Sequence, residues 1–133
     1  MKKFTILLFF AMLCPVAHSN VHETIVAKNI TVSAAHVQTH IGRASWYGPG
    51  FFNRRLSSSG RYDVAAIFVA HRSYPFGTKL RITNLQNHKV LIAAVLDRGP
   101  YAPGRSLDLS WKAAEQLGIL NRGVALVSYE VMR

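Results

Sequence analysis

From Gly42 onward the apolar residues fall in short blocks cut by turn-forming residues, the texture of a small β protein. Ala44–Tyr47 reads as a short aromatic strand stopped by Gly48-Pro49-Gly50, and Phe51–Asp63, rich in Ser, Arg and Asn, reads as a loop. Ala65–Ala70 is a mostly apolar strand leading to His71, and Tyr74-Pro75-Phe76-Gly77-Thr78 is a turn. Lys79–Leu85 alternates, with Leu80, Ile82 and Leu85 pointing inward and Lys79, Arg81 and Thr83 outward, the pattern of a half-buried strand. Gln86-Asn87-His88 turns the chain into Val90–Leu96, a near-continuous apolar run that predicts a core strand. One helix is predicted, with Ser110 as its cap, Trp111–Leu117 as its body, Gly118 at its exit, and Trp111, Ala114 and Leu117 as one apolar stripe. Asn121-Arg122-Gly123 is a turn, and Ala125–Met132 alternates as a last strand. Five or six short strands and one helix within about 90 residues suggest a small closed barrel, which also leaves no sheet edge open.

The N-terminal part has a different pattern. Met1-Lys2-Lys3 is followed by an apolar run from Phe4 to about Ala17, then Ala17-His18-Ser19, with small residues at the two positions that matter for cleavage. This predicts a secretory signal peptide over residues 1–19, cut after Ser19, too short and too early for a stable membrane span. Residues 20–41 form a lead-in without Gly or Pro and without clear period, and the domain proper is expected over residues 42–133. Asn29-Ile30-Thr31 matches a glycosylation acceptor, but so short a pattern carries little weight.

Composition sharpens this picture. The 133 residues suffice for one domain. Cys14 is the only cysteine, lies within the leader and follows Leu13 rather than a small residue, which argues against lipidation there. Cleavage at Ser19 leaves no thiol for a disulfide or a thiolate metal site, so the fold must rest on its core. The full chain carries a net charge of +10, and loss of Lys2 and Lys3 leaves +8. An exported chain of that charge favours anionic partners such as wall polymers, lipid surfaces or acidic glycans. The basic residues are scattered and form no recognisable nucleic-acid module, so nucleic acid is not the expected partner. The six histidines are spread widely, and no tight metal-ligand spacing occurs; no metal and no cofactor is expected.

The chemistry concentrates at Leu96–Gly104. An apolar strand delivers Asp97 into a turn, where a charge is costly unless it is paired or used. Gly99 permits unusual dihedrals, Pro100 fixes the exit, and Arg98 can fork onto a carboxylate; Asp97 could equally pair with Arg98 or cap the turn. Asp108 follows in Ser106-Leu107-Asp108-Leu109-Ser110, in a chain with six acids in all. Trp46 and Tyr47 offer aromatic faces that could floor a subsite, with Tyr47 the better surface candidate and a core role as natural for Trp46; Trp111 is most simply core. Arg54, Arg55 and Arg61 load the loop with charge, for acidic wall groups or merely as a solvated face.

Four segments stand in a fixed order: Gly42-Arg43-Ala44-Ser45-Trp46-Tyr47-Gly48; Ala70-His71 with Pro75-Phe76-Gly77-Thr78; Arg81-Ile82-Thr83-Asn84 with Asp97-Arg98-Gly99-Pro100; and Arg105–Ser110 with Ala113–Gly118. Together they resemble the rare lipoprotein A family of bacterial cell-wall proteins, over roughly Gly42–Arg133. The resemblance implies a mainly β fold, a six-stranded double-psi β-barrel with one or two short helices. It implies an exported lytic transglycosylase that cleaves bare peptidoglycan glycan strands to 1,6-anhydro-muramic ends, in the periplasm or cell envelope. It places Asp63, His71 and Asp97 on three of the family's groove positions, as catalytic candidates. Trp46, Tyr47, Arg98 and Asp108 are the substrate-binding candidates beside them. The fourth groove position is a glutamate that follows a Thr-Ala-Ser-Gly or Thr-Ala-Asn-Gly turn. Here the turn reads Ser57-Ser58-Ser59-Gly60. Counted without gaps from His71, Gly60 takes the glutamate's place; aligned on the turn, the glutamate is deleted and Arg61 follows.

The implied reaction needs a proton donor for the leaving oxygen and then a base for the sugar's own 6-hydroxyl. One carboxyl can do both in turn, so the two-carboxylate rule of ordinary glycoside hydrolysis need not hold. Asp97, at the end of an apolar strand, is expected to be desolvated enough to stay protonated near neutral pH, unless Arg98 pairs with it and spoils that role. Asp63 would bond a sugar or steady developing charge, and is otherwise a turn aspartate. His71 would orient a carboxylate or hold a glycan hydroxyl, and is otherwise a bonded rim residue. Two readings compete with the enzyme: a barrel that binds the glycan but has lost cleavage with the glutamate, and a septal or wall scaffold whose partners are division or cell-wall proteins.

Overall fold

The computed structural model describes residues 37–133. The expected leader, Cys14, Asn29 and the lead-in up to residue 36 lie outside these residues. Six strands close into a barrel: β1 (Thr39–Trp46), β2 (Phe68–Ala70), β3 (Lys79–Asn84), β4 (Val90–Asp97), β5 (Leu107–Leu109) and β6 (Val124–Val131). One helix, α1 (Trp111–Leu117), lies between β5 and β6, and a 3-10 turn spans Pro49–Phe51. Around the barrel the order is β1-β5-β2-β4-β3-β6, and β6 pairs back with β1. The pairs β1–β5 and β2–β4 are parallel; the other four are antiparallel.

The interior is filled by alternate residues. Leu80, Ile82, Val95, Leu107, Leu109 and Val127 are fully buried, and Leu117 and Ile119 join them from α1 and its exit. Each such side chain contributes about 2 kcal/mol by leaving water. Ser110 caps α1 by accepting from Ala113 N at 3.3 Å, and Gly118, left-handed at φ 69°, closes it. Ala113, Ala114 and Leu117 form the buried face, and Trp111, expected in that stripe, is half-exposed.

Several strand boundaries and faces differ from the sequence reading. β1 starts at Thr39, ahead of Ala44 and of the expected domain start at Gly42, because β6 pairs with it from Glu130 to Val124. Its polar residues hide this. Gly42 faces inward, where a Cβ would meet Ser106 Cβ at 2.7 Å and collide with its hydroxyl. β2 is confined to Phe68–Ala70, because the Asp63 carboxylate accepts from Ala65 N at 2.9 Å and holds the start of the expected strand in a turn. β4 is half-buried rather than a core strand: Leu91, Ala93 and Val95 face in, whereas Val90 and Ile92 are about half exposed. Branched residues suit an outward strand face as well as a buried one. Leu80, Ile82 and Asn84 share one face by parity, so the inward place expected for Leu85 falls to Asn84. The buried Asn84 amide donates to Leu117 O and its carbonyl accepts from Gln86 N, each at 3.0 Å.

A second, smaller cluster lies outside the barrel wall. Leu56, Tyr62 and Phe68 are buried together, with Tyr47 and Leu96 packed on them. It pins the long loop between β1 and β2 against the barrel. The Tyr62 hydroxyl also accepts from Trp111 N at 2.6 Å, tying that loop to α1.

Candidate functional site

Where the pinned loop meets the turn after β4, a cleft of about 480 Å3 opens. Phe51, Arg54, Arg55, Leu56 and Tyr62 form the loop wall; Trp46 and Tyr47 enter from the end of β1; and the turn at residues 98–102 faces them. Asp97, Arg105 and Asp108 complete the lining. Five residues expected at the site therefore share one cleft: Trp46, Tyr47, Asp97, Arg98 and Asp108.

Asp97 reaches the cleft through a β-bulge. Val69 pairs with Val95, but the next residue, Ala70, pairs with Asp97 rather than Leu96. The extra residue turns Asp97 away from the interior that Val95 faces. Its Oδ2 accepts from the Tyr47 hydroxyl at 2.7 Å, and its Oδ1 accepts from Ser57 N at 2.8 Å and Ser57 Oγ at 2.6 Å. Partial burial pushes the carboxyl upward, but the bonds from Ser57, Tyr47 and the Arg98 N–H outweigh it and hold Asp97 below its ordinary value. The expectation of an acid that keeps its proton near neutral pH is thus overturned: Asp97 is a carboxylate. Arg98 is not the cause through its side chain. Its guanidinium donates to Tyr74 O at 3.0 Å and His71 O at 3.4 Å, and it lies 3.8 Å over the Phe76 ring.

Tyr47, a substrate-binding candidate that lines the cleft, also anchors the acid. Its ring is packed among Phe51, Tyr62 and Phe68, with centroids 5.3–6.0 Å away, and its hydroxyl holds Asp97. Burial, and then Asp97 itself, push the phenol well above its ordinary value, so it remains a donor. Trp46 is half-buried and packs on the main core while its edge borders the cleft. Asp108 accepts from Ser45 Oγ and lies 3.8 Å from Arg105 Nη1, which itself donates to Ser45 Oγ at 2.9 Å.

The other two expected catalytic residues stand apart. Asp63 is exposed, lines neither this cleft nor its neighbour, and spends its carboxylate on Ala65 N. His71 lines a smaller cavity of about 240 Å3 with Arg72, Ser73, Arg105, Ser106 and Tyr129; Arg105 borders both spaces. His71 Nδ1 accepts from Ser73 N at 3.2 Å and Tyr74 N at 3.0 Å, which places its proton on Nε2. Partial burial, then the neighbouring His40, Arg98 and Arg72, hold it below its ordinary value. A neutral His71 can donate one hydrogen bond from Nε2. Among the described residues no three His, Cys, Asp or Glu side chains gather closely enough to hold a metal.

Sequence reasoning missed Tyr101 and Ser57. Tyr101 lines the cleft and is 80 % exposed, on the turn that left-handed Gly99 (φ 124°) begins. An aromatic two residues beyond Gly99 was the available signal. Ser57 carried none, because its partner is 40 residues away. Ser59, in the turn Ser57-Ser58-Ser59-Gly60, is left-handed, φ 79°.

Residues 39–129 match the family described as lytic transglycolase. The probable endolytic peptidoglycan transglycosylase RlpA of Synechocystis sp. is 42 % identical over 110 residues, 81 % of this chain and 34 % of that protein. The corresponding Aquifex aeolicus protein is 46 % identical over 92 residues, 69 % of this chain and 41 % of its own. The endolytic peptidoglycan transglycosylase RlpA of Neisseria meningitidis serogroup A is 44 % identical over 92 residues, 69 % of this chain and 38 % of its own. The chain thus spans about two fifths or less of these relatives' length. Among solved structures, a mutant Clavibacter michiganensis expansin in complex with cellohexaose superposes with a TM-score of 0.58 at 27 % identity, over 72 % of this chain and 51 % of that one. The Streptomyces papain inhibitor shares the fold at a TM-score of 0.57 and 20 % identity, over 72 % of this chain and 96 % of its own. A double-psi β-barrel by fold, the chain belongs to the lytic transglycolase family, among the relatives of RlpA.

Proposed function

We propose that this barrel is an exported lytic transglycosylase that cleaves bare peptidoglycan glycan strands and leaves 1,6-anhydro-muramic ends. The names of its relatives support the reaction, and the predicted leader supports a place in the periplasm or cell envelope. Among the described residues no helix is long and apolar enough to cross a membrane. The observation that carries the reading is the Asp97 carboxylate, fixed by Tyr47 and Ser57 on the wall of an open cleft.

The bond from C1 to the leaving oxygen breaks, that oxygen gains a proton, the 6-hydroxyl oxygen bonds C1, and the hydroxyl proton leaves. Asp97 performs both transfers. Its protonated fraction gives the first proton, and the carboxylate so formed takes the second. Because hydrogen bonds hold it ionised, that fraction is small at neutral pH and grows about tenfold for each pH unit of acidification. His71 Nε2, in the neighbouring cavity, donates a hydrogen bond to the strand at the margin of this chemistry, whereas the Asp63 carboxylate stays on Ala65 N. Division or cell-wall proteins are the partners that would direct such an enzyme.

The test is incubation of the purified protein with stem-free glycan strands, followed by mass spectrometry. Anhydro-muramic products from the parent protein, absent with Asp97→Asn, support the enzyme. The turn Ser57-Ser58-Ser59-Gly60, which lacks the glutamate that the resembled family carries after it, favours a second reading, a glycan-binding barrel without cleavage. No product, with retained pull-down on sacculi, would select it.

A further inference from the structure

Most charged groups around the cleft already have partners. Arg98 holds two carbonyls, Arg105 holds Ser45 and Asp108, and Asp97 accepts from Tyr47 and Ser57. Arg54 and Arg55 do not. Both line the cleft and are exposed, and neither enters an ion pair among the described residues. Their backbone is nevertheless fixed. Tyr62 N donates to Arg54 O at 2.8 Å, Arg55 bridges to Arg61, and Leu56 beside them is buried. The Arg54 guanidinium lies 5.0 Å over the Phe51 ring, which restrains it further. One guanidinium held over an aromatic ring and a second on neighbouring fixed backbone, both beside the cleft and without an ion pair, suit a planar anion with two oxygens, a carboxylate.

On the proposed glycan the carboxylate has one source. Muramic acid carries a lactyl group whose carboxylate is free once the stem peptide is gone and is a neutral amide while the peptide remains. The alternate sugar, N-acetylglucosamine, has no charge and offers only ring faces and hydroxyls. Exposed Tyr101 is a platform for such a face. We infer that Arg54 and Arg55 form a carboxylate-reading subsite that admits muramic acid with a free lactyl group and discriminates against its amidated form. The inference rests on the proposed glycan substrate and adds how this chain tells stripped strands from decorated ones.

The experiment measures binding by titration calorimetry to stem-free strands, to the same strands with lactyl carboxylates amidated by carbodiimide and methylamine, and to N-acetylglucosamine oligomers. The parent protein should bind the free-carboxylate strands most tightly, with an advantage that added salt erodes. The double variant Arg54→Ala/Arg55→Ala should lose that advantage, about tenfold in affinity, while its binding to the amidated strands stays unchanged. Arg54→Lys/Arg55→Lys should recover part of it, since lysine keeps charge but not the fork. Equal affinity of the parent for free and amidated strands would overturn the inference while leaving a glycan-binding cleft. So would an equal loss on both strands in the alanine variant. Failure of the parent to bind any of the three would remove the glycan reading itself, and this inference with it. Melting curves of the variants, expected to match the parent's because both side chains are exposed, separate these outcomes from misfolding.

Discussion

Tyr47→Phe isolates the bond that keeps Asp97 ionised. The substitution removes one oxygen and leaves the ring among Phe51, Tyr62 and Phe68, so packing changes little. What disappears is a 2.7 Å hydrogen bond to a carboxylate. Such a bond contributes about 1.5–3 kcal/mol. Asp97 keeps both donors of Ser57 and is partly open to water, so the lower end applies, about 1.5 kcal/mol. For a domain of this size that is a fall in melting temperature of about 5–10 °C near pH 7. The pH dependence identifies the cause. Asp97 is held below its ordinary value, so the stability it provides is fully present above the unfolded carboxyl's pKa, about 4. That stability is lost as the pH falls through the lower folded value. The gap between parent and variant should therefore be widest near neutrality and should shrink below about pH 4. Calorimetric melts of both proteins across that range test this. A gap that persists unchanged in strong acid would mean the hydroxyl acts on something other than the carboxylate, and no gap near pH 7 would mean the bond is not made.

Gly60→Glu places a carboxyl where counting without gaps from His71 puts the glutamate implied by the resemblance, at a position with open space around the new Cβ. A second proton donor should raise anhydro-muramic product formation at pH 7 at least tenfold, and an unchanged rate would show that the loop does not aim it at the cleft. Ser57→Ala removes the 2.6 Å Oγ donor to Asp97, so the carboxyl should rise and the pH above which the rate falls should move toward neutrality; an unmoved fall would take Asp97 out of the proton transfers. Ser110→Ala strips an acceptor from two buried N–H groups, Phe68 and Ala113, and should cost about 2 kcal/mol in denaturant unfolding; a loss under about 0.5 kcal/mol would show that the helix does not depend on its cap.

Which parts of this site could be read from the chain follows from the range of the forces involved. The turn grammar around Gly99 and Pro100, and the apolar run before it, marked Asp97 as a residue presented to a rim, because those effects act between neighbours. The helix from Ser110 to Gly118 was legible for the same reason. The charge state of Asp97 was not. It depends on Tyr47, 50 residues earlier, and Ser57, 40 residues earlier, and only closure of the barrel brings them together. Asp63 and His71 lie on either side of β2, but local bonds claim the Asp63 carboxylate and His71 Nδ1, and neither residue lines the cleft. Trp111 looked like core because helical spacing names a stripe without saying which residue lies at its edge.

The position of Asp97 also shows why strand alternation alone misplaces it. In β4 the buried residues are Leu91, Ala93 and Val95, and the same period would send Asp97 into the interior. A bare carboxylate there would be strongly destabilising. The extra residue between the Val69–Val95 and Ala70–Asp97 pairs resolves the conflict. At such a bulge two residues face one partner, so Leu96 and Asp97 both turn toward the loop-covered face. Leu96 packs there on the cluster of Leu56, Tyr62 and Phe68, and Asp97 meets the cleft beside it. Across the neighbouring strands the pairing runs on through Ala70 to Asp108 and then Ser45, a single row over β4, β2, β5 and β1. Ala70 between the two aspartates is fully buried and small, so one row holds Asp97, bonded by Tyr47 and Ser57, and Asp108, bonded by Ser45. The bulge therefore does for the site what composition could not reveal: it moves a charge from a position the core would reject to one where three donors await it.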